Sequence, residues 1–314
     1  MSESLRILFM GTSDFSVPAF KALTASGHEV VLVVTQPDRP AGRGLELKES
    51  PLKKAAIELG IEVFQPEKIK TAGALEKLHS LDVDVTVVAA YGQILPKDVL
   101  DVPKLACLNI HGSILPKWRG AAPIHYSVMA GEKETGVTIM YMNEKMDEGD
   151  ILLVKKTPIG PEETTGEVHD RLAQLGSEGL LEALELLKKG KAPRIPQDAS
   201  QATYAPSLKR EQCFIRWDKP AEEIANHIRG LNPWPVAETR WKEMNLKVFS
   251  ARVAADSRSG KPGEVLLVDK AGISVGAGQG ALILKEVQPP GKRKMSAFDF
   301  TLGQPNFKKS EMLT

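Results

Sequence analysis

The stretch Leu105–Gly120 reads LACLNIHGSILPKWRG. Its first half is an apolar run with the makings of a buried strand, and the run ends in Asn109, Ile110 and His111. Gly112 and Ser113 break it, and Ile114, Leu115 and Pro116 lead into a basic turn around Trp118. Successive strand residues point to opposite faces, so Asn109 and His111 share one. They fall where the strand runs out, and open parallel α/β sheets bind ligands just beyond the carboxyl ends of their strands. An amide donor beside an imidazole is a minimal kit for acyl transfer: one polarises a carbonyl, the other handles a proton. Alone, Asn-x-His could equally be a turn-capping amide and a histidine satisfied by a backbone carbonyl. The neighbouring segments decide.

Upstream, Arg6–Met10 reads as a short strand followed by Gly11-Thr12-Ser13-Asp14-Phe15. Pro18 suits the first turn of a helix that Gly27 stops, and Glu29–Thr35 is a second buried strand, so a right-handed β-α-β unit is expected. The first turn has one glycine rather than G-x-G-x-x-G, which argues against a dinucleotide pyrophosphate there. Leu52–Leu59 and Ala72–Leu81 read as helices, Ile61–Phe64 as a short strand, and Asp84–Tyr91 as a near-continuous apolar strand of a parallel sheet. Beyond the opening stretch come a helix from Ala122 to Ala130, a strand Gly136–Met142, and an acidic loop Asn143–Asp150 that returns to Ile151–Lys155. Thr164-x-x-Glu167 is a capping box for a helix to Lys189, with Val168, Leu172, Leu175, Leu184 and Leu187 on its packed side. The order of elements predicts an α/β domain over 1–189, Rossmann-like, with a mostly parallel sheet.

Residues 190–208 lack periodicity and read as a linker. Over 209–314, short segments (Phe214–Trp217, Ala237–Trp241, Leu246–Ser250, Gly263–Val268, Ile273–Val275, Leu282–Val287) alternate with Gly/Pro turns and helices at Ala221–Leu231 and Ser296–Leu302. That pattern predicts a small OB-like β-barrel domain, with Trp217, Trp234 and Trp241 in its core. Residues 209–314 carry 18 Lys and Arg against 12 Asp and Glu, while residues 1–208 carry 23 against 28. A basic final third in a chain of net charge +1 suggests a polyanionic partner. Gln36–Lys54 sets Arg39, Arg43, Lys48 and Lys53 among Pro and Gly, which marks a long, mobile surface loop able to reach phosphates.

Other classes are disfavoured. No apolar stretch approaches the ~20 residues of a membrane span, and MSESLRILFM lacks the pattern of a secretory leader. Cys107 and Cys213 are far apart without ligand-like spacing, so neither a disulfide framework nor a metal site is expected. A cytoplasmic location is expected. Cys107 shares the strand face of Asn109 and His111, but it lies deeper and is expected to be structural; His28, His79, His125, His169 and His227 are expected to be surface or structural.

Asp147, in the loop after Gly136–Met142, is expected at the same sheet edge as Asn109 and His111. Asn, His and Asp converging on one crevice form an acyl-transfer constellation. With NIHGSILPKWRGAAPIH, MDEGD, AYGQILP, GTSDF, TQPDRPAGRG and NPWP, nearly the whole chain resembles the folate-dependent formyltransferases, and the loop and basic C-terminal domain resemble the branch that acts on methionyl-tRNA. Two positions depart from the commonest pattern, Ile114 and Ser13, and neither carries the proposed chemistry. The resemblance implies transfer of the formyl group of 10-formyltetrahydrofolate to the α-amino group of methionine on initiator tRNA, with no metal. Asn109 would donate to the tetrahedral oxyanion, His111 would either join it as imidazolium or relay the amine proton, and Asp147 would orient the imidazole. It also implies a folate pocket lined by Ser113, Ile114, Leu115 and Pro116 with Tyr91, Gly92, Ile94 and Leu95. For tRNA, Arg39 and Arg43 of the loop and Lys292, Arg293 and Lys294 of the basic domain are the expected contacts, in a chain expected to be monomeric. A sugar-nucleotide N-formyltransferase would share the trio and leave the basic elements unexplained; a non-catalytic RNA-binding protein would leave the trio without a purpose.

Overall fold

Runs of Val, Ile and Leu long enough to cross a sheet, punctuated by Gly and Pro, set the order of elements. They are β1 (Arg6–Gly11), α1 (Val17–Ala25), β2 (Glu29–Val34), β3 (Arg39–Ala41), β4 (Glu46–Lys48), α2 (Pro51–Glu58), β5 (Val63–Phe64), α3 (Ala72–His79), β6 (Val85–Ala89), α4 (Lys97–Leu100), β7 (Ala106–His111), α5 (Pro123–Met129), β8 (Glu134–Tyr141), β9 (Ile151–Pro158) and α6 (Thr165–Lys188). The computed structural model describes residues 4–41, 46–256 and 259–314. Seven strands form one sheet in the order β5-β2-β1-β6-β7-β8-β9. β5, β2, β1, β6 and β7 run parallel, and β8 returns antiparallel to β7. Chain order reverses between β1 and β6, which makes their carboxyl ends the crevice where such sheets bind ligands. The loops after β1, β6 and β7 therefore leave the same edge, and the Thr12 hydroxyl donates to the Tyr91 carbonyl at 3.0 Å across two of them. β1, β6 and β7 are buried on both faces; Leu8, Met10, Val88, Tyr91, Leu95 and Cys107 share one core cluster.

Within 36–54 the described residues are more ordered than the turn formers suggest. Arg39, Pro40 and Ala41 pair with Lys48, Leu47 and Glu46 as a hairpin. Its base is tied down: Lys53 Nζ bonds Asp38 Oδ2 at 2.5 Å, and Gln65 Nε2 donates to the Gln36 carbonyl and to Asp38 Oδ1. The polar-apolar-polar triplet Glu46-Leu47-Lys48 is too short to stand out among prolines and glycines. α2 begins at Pro51 because the Ser50 side chain accepts the Lys53 N–H. The capping box of α6 forms as read: the Thr164 N–H donates to Glu167 Oε2 at 2.8 Å, and the Glu167 N–H lies 3.4 Å from the Thr164 hydroxyl.

The expected divisions at 189 and 208 follow the sequence; the packing is drawn differently. One compact unit comprises Met1–Ala121, Thr135–Thr157 and His169–Ala205, and the other comprises Ala122–Glu134, Pro158–Val168 and Pro206–Thr314. Two excursions from the first half thus belong to the second unit. There α5 packs on α7 (Ala221–Gly230), and buried Arg229 donates to the carbonyls of Gly160 and Glu163. No local pattern announces such a partnership, since periodicity reports which face is buried and not against what.

The second unit is an antiparallel sheet, consistent with the expected barrel. It contains β10 (Ala237–Trp241), β11 (Met244–Val253), β12 (Val265–Asp269), β13 (Gly272–Gly276), β14 (Ala281–Gln288), the short β15 (Met295–Ser296) and then α8 (Ala297–Leu302). Strand order is β10-β11-β14-β13-β12, with β15 on β14. The C-terminal residues bond both edges: Arg240 and Thr314 exchange N–H and carbonyl bonds at 2.7 and 2.8 Å, and the Val265 N–H donates to the Glu311 carbonyl at 2.9 Å. That segment bridges β10 to β12 and so closes the sheet. Trp217 and Trp241 lie in the core, with Trp241 edge-on to Phe300 and Phe307. Trp234 departs from expectation: it is 67 % exposed, in a turn whose Asn232 side chain donates to the Phe249 carbonyl. Phe214–Trp217 is not a strand: among the described residues it makes an isolated bridge at Phe214, with the Ile215 N–H donating to the Glu238 carbonyl of β10.

Candidate active site

β7 presents its end between two neighbours. Asn109 pairs with Val88 of β6 and Met140 of β8, and His111 pairs with Thr138. β8 then turns back, with the Tyr141 N–H bonded to the Asp150 carbonyl at 2.9 Å. This turn is very tight. A Cβ on Gly149 would sit 1.8 Å from the Tyr141 carbonyl oxygen, so only glycine fits there. Asp147, two residues earlier, adopts φ +53°, a left-handed conformation that Asp tolerates better than most residues.

The turn brings the trio together. Asp147 Oδ1 lies 3.4 Å from Asn109 Nδ2 and 3.6 Å from His111 Nδ1. Its Oδ2 accepts the Gly120 N–H at 2.8 Å. Gly120 sits at φ +121°, with no room for a Cβ against the Ala205 carbonyl. His111 is 5 % exposed, and its Nε2 lies 3.0 Å from the Trp118 carbonyl. A carbonyl only accepts, so Nε2 carries a proton. Nδ1 on the other side of the ring faces the Asp147 carboxylate. One amide hydrogen of Asn109 faces Asp147; the other is not engaged among the described residues.

The residues expected to line a pocket behave differently from one another. Ser113 is fully buried, donating to the Lys117 carbonyl at 2.6 Å, while its own carbonyl accepts from Thr138. Leu115 is buried and bonded through its N–H to the same hydroxyl, with Ile114 and Pro116 half-buried beside it. In the loop after β6, Tyr91 and Leu95 sit in the core, Ile94 is 75 % exposed, and Gly92 is exposed at φ +88°. The Tyr91 phenol is buried without a partner among the described residues, and burial pushes it up to about 12.

Of the expected tRNA contacts, Arg39 pairs with Glu67 at 2.9 Å on the surface, and Arg43 lies outside the described residues. Lys292 and Arg293 are exposed; Lys294 pairs with Glu286 at 2.9 Å and lies 5.5 Å from the Phe249 ring centroid. Cys107 is structural: it is buried, and desolvation pushes its thiol to about 12. Among the described residues, no three His, Cys, Asp or Glu cluster as metal ligands.

Sequence reading missed Arg119 and Gln197. Buried Arg119 donates through Nε and Nη2 to Gln197 Oε1 at 3.1 and 2.8 Å, and Gln197 Nε2 donates to the carbonyls of Asp147 and Gly149. Arg119 stood in the decisive stretch as one more base, and Gln197 in a segment without periodicity. Nothing local distinguishes either.

A mostly parallel sheet with Asn, His and Asp gathered at the end of β7 suits acyl transfer, and the family is specific. Residues 5–184 match the formyl transferase family and residues 207–305 the formyl transferase C-terminal domain, and the chain belongs to this family. Within it, the methionyl-tRNA formyltransferase of Moorella thermoacetica is 50 % identical over 301 residues, covering 96 % of this chain and 97 % of that protein. The methionyl-tRNA formyltransferase of Bacillus subtilis is 48 % identical over 299 residues, covering 95 % and 94 %. Among solved structures, HypX from Aquifex aeolicus in complex with tetrahydrofolic acid superposes with a TM-score of 0.66 at 19 % identity, over 99 % of this chain and 51 % of that one. WlaRD, a sugar 3N-formyl transferase, gives 0.68 at 17 % identity, over 93 % and 100 %. These two share the fold.

Proposed function

We propose that this protein transfers the formyl group of 10-formyltetrahydrofolate to the α-amino group of methionine on initiator methionyl-tRNA, for translation initiation. The observation that carries the chemistry is the convergence of Asn109, His111 and Asp147 within 3.4–3.6 Å. The near-full-length relatives at about half identity support the tRNA substrate.

The donor edge fits a folate. A flat heteroaromatic with several amide-like groups needs backbone partners and apolar walls. The Ser113–Pro116 turn is fixed by its own bonds to Lys117 and Thr138, and half-buried Ile114 and Pro116 with exposed Ile94 offer apolar walls, with open space at Gly92. When bound, 10-formyltetrahydrofolate supplies the formyl carbon. The free amide hydrogen of Asn109 then donates to the formyl oxygen as negative charge develops, and low exposure strengthens that bond. The amine nitrogen bonds to the formyl carbon, the tetrahedral adduct collapses with cleavage of the bond from that carbon to N10 of the folate, and the proton lost by the amine ends on N10, leaving tetrahydrofolate. His111, between Asp147 and the Trp118 carbonyl, either joins Asn109 at the oxyanion or relays that proton. Asp147 orients both partners.

For the RNA, Arg39 and Arg43 would meet the acceptor end, and Lys292, Arg293 and Lys294 would neutralise phosphates. A monomeric, cytoplasmic enzyme is part of this proposal. The test offers 10-formyltetrahydrofolate with charged initiator tRNA and, separately, with amino-sugar nucleotides. Formylation of the tRNA alone is expected. Formylation of the sugar nucleotide alone would replace this reading with that of a sugar N-formyltransferase.

A further inference from the structure

The segment leading out of the first unit has little regular structure, only a 3-10 turn at Ala199–Gln201 and isolated bridges. It is nonetheless fastened to both loops that carry the site. Gln197 uses every hydrogen-bonding group of its amide there. Its Nε2 donates to the carbonyls of Asp147 at 2.8 Å and Gly149 at 2.7 Å, and its Oε1 accepts twice from Arg119. Arg119, 3 % exposed, also reaches Glu148 Oε1 at 3.5 Å. One side chain therefore spans the loop that presents Asp147 and the loop that presents the Trp118 carbonyl and the Gly120 N–H. Further along, Thr203 accepts the Trp118 N–H through its hydroxyl and the Arg119 N–H through its carbonyl, both at 2.9 Å. Asp147 holds φ +53°, a region non-glycine residues visit sparingly, and both Gln197 Nε2 bonds fall on carbonyls of that turn.

We propose that Gln197 is a positioning residue for the transfer: it sets the Asp147 backbone and, through it, the separation of the carboxylate from His111 and Asn109. The proposal rests on the reading of those three residues as the catalytic groups. The connecting segment thus takes part in the chemistry without touching the reacting atoms.

Gln197→Glu in the full-length protein tests this. It keeps the oxygen that faces Arg119 and removes both donors, setting a carboxylate oxygen against two carbonyls. A displacement of order 1 Å at a catalytic group costs up to about 10²-fold, so kcat should fall about 10–10²-fold. KM for both substrates should hold, because neither is contacted. Thermal unfolding is followed in parallel, with rates taken well below Tm, so that loss of folded protein does not pass for loss of kcat. Gln197→Met, uncharged and of similar size, should lose kcat likewise and serves if the glutamate variant does not fold. Combined with Asp147→Asn, either change should cost nothing further, since the group it positions is gone. A wild-type kcat in the Gln197 variants, or the same fold-loss with and without Asp147→Asn, overturns the proposal. A wild-type kcat for Asp147→Asn alone overturns the catalytic reading and the proposal with it.

Discussion

Asn109→Asp exchanges an amide NH2 for an oxygen and keeps the shape, so it isolates charge from packing. In the native site Asn109 Nδ2 stands 3.4 Å from Asp147 Oδ1, and the variant sets a second carboxylate at that separation. At an effective dielectric of about 20, two unit charges so placed repel by about 5 kcal/mol, an upper bound. Loss of the donor alone, as in Asn109→Ala, should lower kcat about 10²–10³-fold, roughly 2.7–4 kcal/mol. At alkaline pH, Asn109→Asp should therefore be slower than Asn109→Ala. Two close carboxylates raise the apparent pKa of the pair, so the repulsion is present above that raised value and disappears below it. The rate of Asn109→Asp relative to Asn109→Ala should accordingly climb as pH falls. Single-turnover formyl transfer across the pH range measures both. An alanine variant that turns over like wild type, or an aspartate variant whose deficit deepens toward acid, refutes the assignment of Asn109 as a donor beside an ionised Asp147.

Cys107, its thiol pushed to about 12 by burial, should resist thiol reagents at neutral pH until the protein is unfolded, and Cys107→Ser should retain activity; rapid labelling in the native state would contradict its placement. Burial lowers the pKa of His227, only partly offset by its bond to the Gln212 carbonyl at 2.7 Å. The unfolded chain then takes up this proton first, so stability is complete above the unfolded value near 6.5 and falls as pH drops through it. His227→Gln should flatten the acid-side decline of Tm, and an unchanged decline would assign it elsewhere. Reversing Lys292, Arg293 and Lys294 should weaken tRNA binding and flatten its salt dependence, by about 0.9 in log–log slope for each duplex phosphate that is no longer neutralised. An unchanged slope would place the RNA elsewhere. Protease cleavage within 36–54 should be suppressed by initiator tRNA, and equal cleavage with and without it would remove that loop from the interface.

What the sequence made legible follows from the range of the interactions involved. Asn109 and His111 share a face by strand periodicity alone, and a helix such as α6 advertises its start through Thr164 and Glu167. The mostly parallel sheet followed from apolar runs long enough to be buried on both faces. Asp147 was expected at that edge on strand order alone, yet β8 runs antiparallel to β7 and ends with Tyr141 beside Leu108; the return of the loop after β8, with its left-handed backbone at Asp147 and tight approach at Gly149, is a matter of three-dimensional fit. Long-range pairings stayed hidden: Arg229 with the carbonyls of Gly160 and Glu163, and Gln197 with Asp147, are 69, 66 and 50 residues apart. A tryptophan gives no sign in the chain of whether its turn faces inward, and Trp234 does not.

The central claim is that Asn109, His111 and Asp147 together transfer a formyl group to methionyl-tRNA. Single-turnover transfer from 10-formyltetrahydrofolate to charged initiator tRNA, with wild type and Asp147→Asn at saturating substrates, tests it most directly. The account predicts formyl-methionyl-tRNA from the wild type, and from the variant a chemical step slowed by at least about 10²-fold with folate binding and fold retained. Equal rates for the two proteins, or no formylated tRNA from the wild type, would contradict it.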